Sequence, residues 1–380
     1  MKAARHYQVL IVCHAFWEGL ARLPHLLHQA GCEINVFGPA KNYVARSRFI
    51  HRHFLSPSDL DEAVTALRDF LMRSDITYDW VVIGDDPLLY ALEKRRDEDW
   101  VRAIFPSNIP GGAGVDFITS KASFIHQCQQ HAIDVPDFEI CTDKAALQTT
   151  ARRLGFPLVL KEAQGFAGLA VCMVQDEKQL AQITVDQPLI AQAFIHGRVG
   201  SAAAIYRQGK LLAWFSYYRA RTWGALGPSA AVAFRLFPAV GPILEKLGEL
   251  SGFTGLCGID FIEEQGSGKI VLLEQNFRPT LTMALGRHVG VDFVDVLPCM
   301  LQQADLRAQT PVSPPRWQQD AAKCKVIPLF PQDVFRAIEA GDKLGILKWC
   351  INIRWWKEMN WQEPRLLKFN LRQIARKFLR

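Results

Sequence analysis

The sequence predicts a protein of mixed α/β and α+β class: an α/β domain, a mixed α and β body, and a basic C-terminal extension. Three observations carry this. Short apolar strands alternate with amphipathic helices over roughly residues 1–115, the pattern of a parallel sheet. From there to about Pro298, β-branched and aromatic runs follow one another with few helices between. After about residue 301 the chain turns basic and tryptophan-rich.

Each element has its own local reason. Val9 to Cys13 is a continuous apolar run suited to a strand buried on both faces. Trp17 to Ala30 places Leu20, Leu23, Leu26 and Leu27 at helical spacing, and Gly31 ends it. Ile34 to Phe37 reads as a strand, and Asp59 to Met72 as a helix with Leu60, Val64, Leu67 and Leu71 on one face. Trp80 to Ile83 is another buried strand, closed by Gly84-Asp85-Asp86-Pro87. His51 and His53 read as a solvated turn. Two Pro and three Gly between Pro106 and Gly114 read as a linker, and Thr119 to His131 as a helix. Strands are expected at 158–161, 189–194, 211–218, 258–262 and 270–273, with a helix at 243–250. A polar, Pro-containing stretch at 302–315 is a second linker.

Composition narrows the class. The 380 residues are 49% hydrophobic and 22% charged, ordinary for a globular protein with a full core. Nine cysteines include no C-x-x-C pair, so zinc ribbons and thioredoxin chemistry find no support and a reduced, cytoplasmic setting is expected. The N-terminal apolar run is too short for a signal-peptide core. No uncharged apolar run approaches the roughly 18–20 residues that span a bilayer. The net charge of +6 resides in residues 341–380, where ten Lys and Arg oppose three Asp and Glu; the rest is nearly neutral.

One constellation bears chemistry above the others. Gly258-Ile-Asp260-Phe-Ile and Ile270-Val-Leu-Leu-Glu274-Gln-Asn276-Phe-Arg278 read as two strands joined by Gln265-Gly-Ser-Gly268. Glu274 and Asn276 are two apart, so an extended chain turns them to one side. Hard oxygen donors on one face suit Mg²⁺, which takes few carboxylates plus phosphate oxygens. Arg278 continues the alternation and would set a fixed positive charge beside phosphates. Upstream, Phe156-Pro-Leu-Val-Leu-Lys161 ends a buried strand in a lysine, and Gln164-Gly165-Phe166-Ala167-Gly168 follows. An ammonium beside a glycine loop is a phosphate-binding arrangement, and the loop can close over nucleotide.

In this order the pieces resemble the ATP-grasp superfamily over roughly Asp116 to Asp295. The likeness is to carboxylate–amine ligases such as D-alanine–D-alanine ligase and the ATP-grasp domains of the carbamoyl-phosphate synthase large subunit. Ser120-Lys121 followed by a helix and Ile133-Asp-Val-Pro136 looks like the family's first lysine segment, and Lys161 like its second. Leu189 to Ile195 with Gly197 looks like the nucleotide hinge. The resemblance implies a Rossmann-like pre-ATP-grasp domain at 1–115 and an ATP-grasp domain at 116–300. Its lobes would divide at 190/191, with the extension at 301–380. It implies Asp260, Glu274 and Asn276 as Mg²⁺ ligands (Mn²⁺ can substitute), and Arg278, Lys161 and Asn276 as catalytic groups. ATP would lie on Lys121, Lys161, Gly165, Phe166, Ala167, Gly168, Gln192, Ala193, Phe194 and Ile195. Gln192 and Ala193 stand where the family commonly has a hinge glutamate, and Arg198-Val199 where it often has a ribose-binding acid, so adenine is expected on the backbone of 193–195.

The function so implied is an ATP- and Mg²⁺-dependent ligase that activates a substrate carboxylate as an acyl phosphate for attack by an amine. The alternative is an ATP-grasp body that binds nucleotide and regulates without turnover. Biotin-type carboxylation is lowered by the lack of a biotin-carrier segment. The partners are small-molecule acids and amines, with no nucleic acid expected; a homodimer is compatible with the sequence. Asp85 and Asp86, at the carboxyl end of a parallel strand, are weaker substrate candidates, as are Arg219 and Arg221. Residues 223–229 resemble a substrate loop. The basic tail, with Trp349, Trp355, Trp356 and Trp361, suits either packing on the body with charges outward or peripheral membrane contact.

Overall fold

A computed structural model describes residues 6–109, 113–162, 171–224, 227–302 and 326–379. The N-terminal unit is a four-stranded parallel sheet of β1 (Tyr7–Val12), β2 (Cys32–Gly38), β3 (Ile50–Leu55) and β4 (Trp80–Ile83), in the order β3-β2-β1-β4. Val9, Leu10 and Ile11 are fully buried between helices on both faces. Each such side chain contributes about 1.5–3 kcal/mol of burial. Asp59 caps the helix Leu60–Arg73 by accepting from the Glu62 backbone N–H at 3.0 Å, and Asp85 caps Asp86–Glu93 through Leu88 in the same way. The span read as one helix at 17–30 is a 3-10 turn, Glu18–Leu20, followed by a short helix, Leu23–Gln29. The stretch read as a solvated His51/His53 turn is instead edge strand β3, with His53 Nε2 3.1 Å from the Gly38 carbonyl oxygen. Its exposed, charged side chains are how an edge strand avoids further pairing.

The first lobe of the body is a four-stranded antiparallel sheet of β5 (Phe138–Cys141), β6 (Leu158–Glu162), β7 (Val171–Val174) and β8 (Leu189–Ala193), ordered β5-β8-β6-β7. It has a small core of its own around Leu147, Leu158, Leu160 and Ala191. Because β8 is internal to this sheet, the lobe boundary falls after residue 193 rather than at 190. The second lobe is a six-stranded antiparallel sheet. Its strands are β9 (Gly197–Arg207), β10 (Lys210–Thr222), β11 (Ser229–Phe234), β12 (Gly255–Glu264), β13 (Ile270–Asn276) and β14 (Val326–Pro328), ordered β13-β12-β9-β10-β11-β14. Strand β14 belongs to this sheet although the sequence boundary at 300 places it in the extension. The expected linker at 106–114 is pinned: Asn108 N–H donates to the Gly252 carbonyl at 3.2 Å, and a helix, Ala113–Thr119, begins inside it. Of the second expected linker, residues 303–315 lie outside the described residues.

The C-terminal extension folds as helices Gln332–Glu339, Lys343–Ile351, Ile353–Trp356 and Pro364–Phe378 around Phe330, Val334, Trp349 and Leu367. Buried polar anchors fasten it to the body. Asp333 accepts from Arg221 Nε and Nη2 at 2.8 and 2.7 Å and from Trp349 Nε1 at 3.0 Å. Glu358 faces Arg22 at 3.3 Å and His288 at 3.2 Å, and Glu363 accepts from Ser47 Oγ at 2.5 Å and the Arg48 N–H at 2.9 Å. Tyr43 donates to Asn370 Oδ1 at 2.5 Å.

Candidate active site

The site grows out of strand register. Asp260 on β12 pairs directly with Glu274 on β13 and, across the other edge, with Ser201 on β9, which pairs with Tyr217 on β10. One row of side chains thus crosses four strands. The next row aligns Gly258 with Asn276. Between Asp260 and Phe261 the partner jumps from Glu274 to Leu272, leaving Leu273 as an extra, bulged residue. Such a bulge re-aims neighbouring side chains, and it sits next to both acids. Ser201 Oγ donates to Asp260 Oδ1 at 2.5 Å, and Tyr217 OH to Thr282 Oγ1 at 2.9 Å.

Two carboxylates directly opposite on one sheet face repel each other. Burial raises the Asp260 carboxyl above its ordinary value, Arg219 opposes that rise, and Glu274 adds to it. A cation placed against this pair would relieve both the desolvation and the repulsion. The donors at hand are carboxylate and amide oxygens from Asp260, Glu274 and Asn276, which fits a hard divalent ion. Among the described residues no three His, Cys, Asp or Glu side chains converge as a cage. A metal held here therefore needs further oxygens, such as those of a polyphosphate.

The opposing charges come from the first lobe. Lys161, 8% exposed near the end of β6, has its ammonium pushed down from its ordinary value by burial. Glu274 is the charged group acting most strongly on it, followed by Lys121 and Asp260. Lys121 opens the helix Lys121–Gln130, which Ser120 caps by accepting from the Ser123 N–H at 3.2 Å. The structure thus brings Lys121, Lys161, Asp260 and Glu274 into one electrostatic neighbourhood across the two lobes, with Asn276 on the same strand face. At the hinge, the Ala193 N–H is given to the Asp137 carbonyl at 2.8 Å, so it is not free for adenine. Gln192 is buried, and its Nε2 has no partner among the described residues. Gly165, Phe166, Ala167 and Gly168 lie outside the described residues.

Other candidates are placed differently from expectation. Arg278, expected to face phosphate, is buried in a two-pronged pair with Asp86: Nε to Oδ1 at 2.6 Å and Nη2 to Oδ2 at 2.7 Å. Its guanidinium stacks 4.4 Å from the Trp17 ring centre and reaches Asn276 Oδ1 at 3.4 Å. Asp86, considered for a substrate amine, is thereby already neutralised. Asp85 accepts from the His14 and Ala15 backbone N–H groups as well as from Leu88, so it shapes the loop after β1 instead of facing a ligand. Arg221 is turned to Asp333 and away from the carboxylate row, because the β10–β11 register shifts between Arg219 and Arg221 and again at Thr222. Arg219, by contrast, acts on Asp260, while its Nη2 donates to the Gly227 carbonyl. In the stretch read as a substrate loop, Trp223 Nε1 bonds Glu339 of the extension. Ser201, Tyr217, Thr282, Trp17 and Tyr90 carry no motif and were not anticipated; Tyr90 lies in the field of Asp86, Arg278 and Glu274.

Residues 118–206 match the family model of the RimK-like ATP-grasp domain. The mitochondrial arginine-specific carbamoyl phosphate synthase large chain of Schizosaccharomyces pombe is 22% identical over 203 residues, 48% of this chain and 18% of that protein. This chain thus spans only a small part of that relative's length. Among solved structures, L-amino acid ligase from Bacillus licheniformis superposes with a TM-score of 0.58 at 18% identity, covering 79% of this chain and 75% of that one. N5-carboxyaminoimidazole synthetase from Staphylococcus aureus, complexed with ADP, gives 0.60 at 11% identity, covering 79% of each chain. The biotin carboxylase domain of the Hydrogenobacter thermophilus 2-oxoglutarate carboxylase, with MgADP and bicarbonate, gives 0.61 at 13% identity, covering 80% and 72%. On this match and these likenesses, the chain has the fold of the ATP-grasp enzymes it superposes on, and its residues 118–206 are similar to the RimK-like ATP-grasp domain.

Proposed function

We propose that the protein is an ATP- and Mg²⁺-dependent ligase that joins a carboxylate to an amine through an acyl phosphate. The observation that carries this is the carboxylate pair Asp260/Glu274, with Asn276 alongside, set in the field of two lysines from the other lobe. The structural neighbours include an L-amino acid ligase, an N5-carboxyaminoimidazole synthetase complexed with ADP, and a biotin carboxylase domain complexed with MgADP and bicarbonate.

A carboxylate attacking the γ-phosphate is an anion approaching a polyanion, so the site's task is to place positive charge where negative charge gathers. Asp260, Glu274 and Asn276 would hold Mg²⁺, which would supply positive charge against that of the triphosphate. Lys161 and Lys121 supply fixed cations opposite. Burial disfavours the protonated form of Lys161 and a nearby triphosphate favours it, so ligand and lysine stabilise each other. Ser201 holds Asp260 in orientation, and Arg278, itself fixed by Asp86 and Trp17, steadies Asn276. Adenine would take the remaining backbone groups of Phe194 and Ile195, with the Gln192 amide as an extra donor. The substrate oxygen bonds to phosphorus as the bond to ADP breaks; the amine nitrogen then bonds to the acyl carbon, phosphate departs with that oxygen, and the nitrogen's proton passes to solvent.

The test follows from that atom balance. With ¹⁸O-labelled candidate acids, ADP release should depend on both acid and amine, and the label should appear in inorganic phosphate. ADP release indifferent to every acid, or phosphate free of label in a productive reaction, would remove the acyl phosphate mechanism.

A further inference from the structure

One C-terminal helix, Lys343–Ile351, has its polarity inverted relative to an ordinary surface helix and to the last helix, which buries Leu366 and Leu367. In Lys343–Ile351, the side facing the body offers Gly345 and Trp349. The solvent side presents Leu344, Leu347 and Ile351, exposed at 61%, 51% and 67%, at i, i+3 and i+7 spacing. Helical geometry sets Lys343 and Lys348, both exposed, at the two edges of this stripe. The apolar surface continues through Ile353, Trp356 and Trp361, all exposed.

Charge is sorted in the same sense. All three acids of the segment 341–379 are turned inward or paired. Glu358 and Glu363 are buried against Arg22, His288, Ser47 and Arg48, and Asp342 binds Arg336 at 2.8 Å while capping Gly345. Eight cations of the segment are exposed: Lys343, Lys348, Arg354, Lys357, Arg365, Lys368, Arg372 and Arg376, with no exposed acid among its described residues. Along the last helix an open groove of about 540 Å³ is walled by Trp361, Leu367, Leu371 and Ala375, with Lys368 and Arg372 on its rim.

We infer that this face docks on an anionic lipid bilayer surface. Aliphatic side chains flanked by lysines, with tryptophan nearby, are what an interfacial helix buries at the headgroup level, the lysine stems reaching back to the phosphates. Lys343 and Lys348 border the stripe directly, and the further exposed cations of the segment add longer-range attraction to an anionic surface. The same charge opposes pairing of this face with its own copy. A nucleic acid would engage the cations and leave Leu344, Leu347, Ile351 and Ile353 in water. No helix among the described residues is long and apolar enough to cross a membrane, so the contact is peripheral.

The test is co-sedimentation of the full chain with vesicles of phosphatidylcholine alone or with 30 mol% phosphatidylglycerol. Protein should pellet with the anionic vesicles and at least tenfold less with the neutral ones, and added salt should release it. Lys343→Gln with Lys348→Gln should weaken partition about tenfold. Leu344→Gln, Leu347→Gln and Ile351→Gln together should abolish it. These positions are solvent-exposed, and an unchanged MgATP-dependent rise in Tm in each variant shows that the fold and the nucleotide site survive. The vesicle readout needs no turnover, so it fails or succeeds independently of the ligase proposal. Wild-type protein left in the supernatant with anionic vesicles at low salt overturns the inference. So does vesicle binding unaffected by the triple variant, or a dimer or DNA complex on this face in place of vesicle binding.

Discussion

Glu358→Gln should loosen the C-terminal helices from the body and strip the protein of a distinct acid-sensitive step. Glu358 is 5% exposed, faces Arg22 at 3.3 Å and His288 at 3.2 Å, and its backbone carbonyl also accepts from Arg22 at 2.9 Å. Burial alone would raise its carboxyl, but His288 and Arg22 outweigh burial and hold it down to about 2 from 4.5. That difference corresponds to about 3 kcal/mol of preference for the ionised form in the folded protein. The sign follows. A depressed carboxyl stabilises the fold above its unfolded value of 4.5, and that stability drains away as pH falls from 4.5 toward 2. The amide cannot neutralise Arg22, whose guanidinium burial already disfavours, so about 3–5 kcal/mol should be lost at pH 7. The assay is urea unfolding followed by tryptophan emission, since Trp349, Trp355, Trp356 and Trp361 all lie in the detached segment. Wild type and variant should differ most at pH 7 and converge toward pH 2. A loss below 1 kcal/mol at pH 7, or a difference that does not shrink with acid, would refute the reasoning.

Arg221→Ala should lower Tm by several degrees, because it leaves the fully buried Asp333 with only Arg336 and Trp349, yet MgATP affinity should stay within about twofold. Asp86→Asn should weaken the lock on Arg278 and lower turnover about tenfold or more at nearly unchanged ATP affinity, read as a kcat effect without a KM effect. The pH dependence of metal use has a definite sign: the raised Asp260 carboxyl must ionise to bind Mg²⁺, so the Mg²⁺ needed for half-maximal nucleotide affinity should fall as pH rises from the ordinary value of 3.8 toward neutrality. An Mg²⁺ requirement flat across that range would contradict the assignment of Asp260.

Much of the candidate site's geometry was legible because its residues sit in strands whose alternation is visible one strand at a time. Glu274 and Asn276 share a face by spacing alone, and Lys161 closes an apolar run. What was not legible depends on contacts across long stretches of chain. The Asp86–Arg278 pair joins residues 192 positions apart, and no local pattern reveals it. Ser201 and Tyr217 enter the carboxylate row only through strand register. Arg219 and Arg221 look equivalent in sequence, but an irregularity in β10–β11 pairing sends them to opposite duties. Strand β3 was missed because Arg52 and its histidines mask an edge strand that needs little apolar surface. The extension's basic composition was plain, whereas the inward turn of Glu358 and Glu363 required their partners in the N-terminal unit.

The central claim is that Asp260, Glu274 and Asn276 complete a Mg²⁺-nucleotide site with Lys121 and Lys161. Calorimetric titration of ATP with and without Mg²⁺, into wild type and Glu274→Gln, tests it most directly. Mg²⁺ should raise wild-type affinity at least tenfold and that of Glu274→Gln less than twofold. Full Mg²⁺ enhancement in Glu274→Gln would place the metal elsewhere and contradict the account.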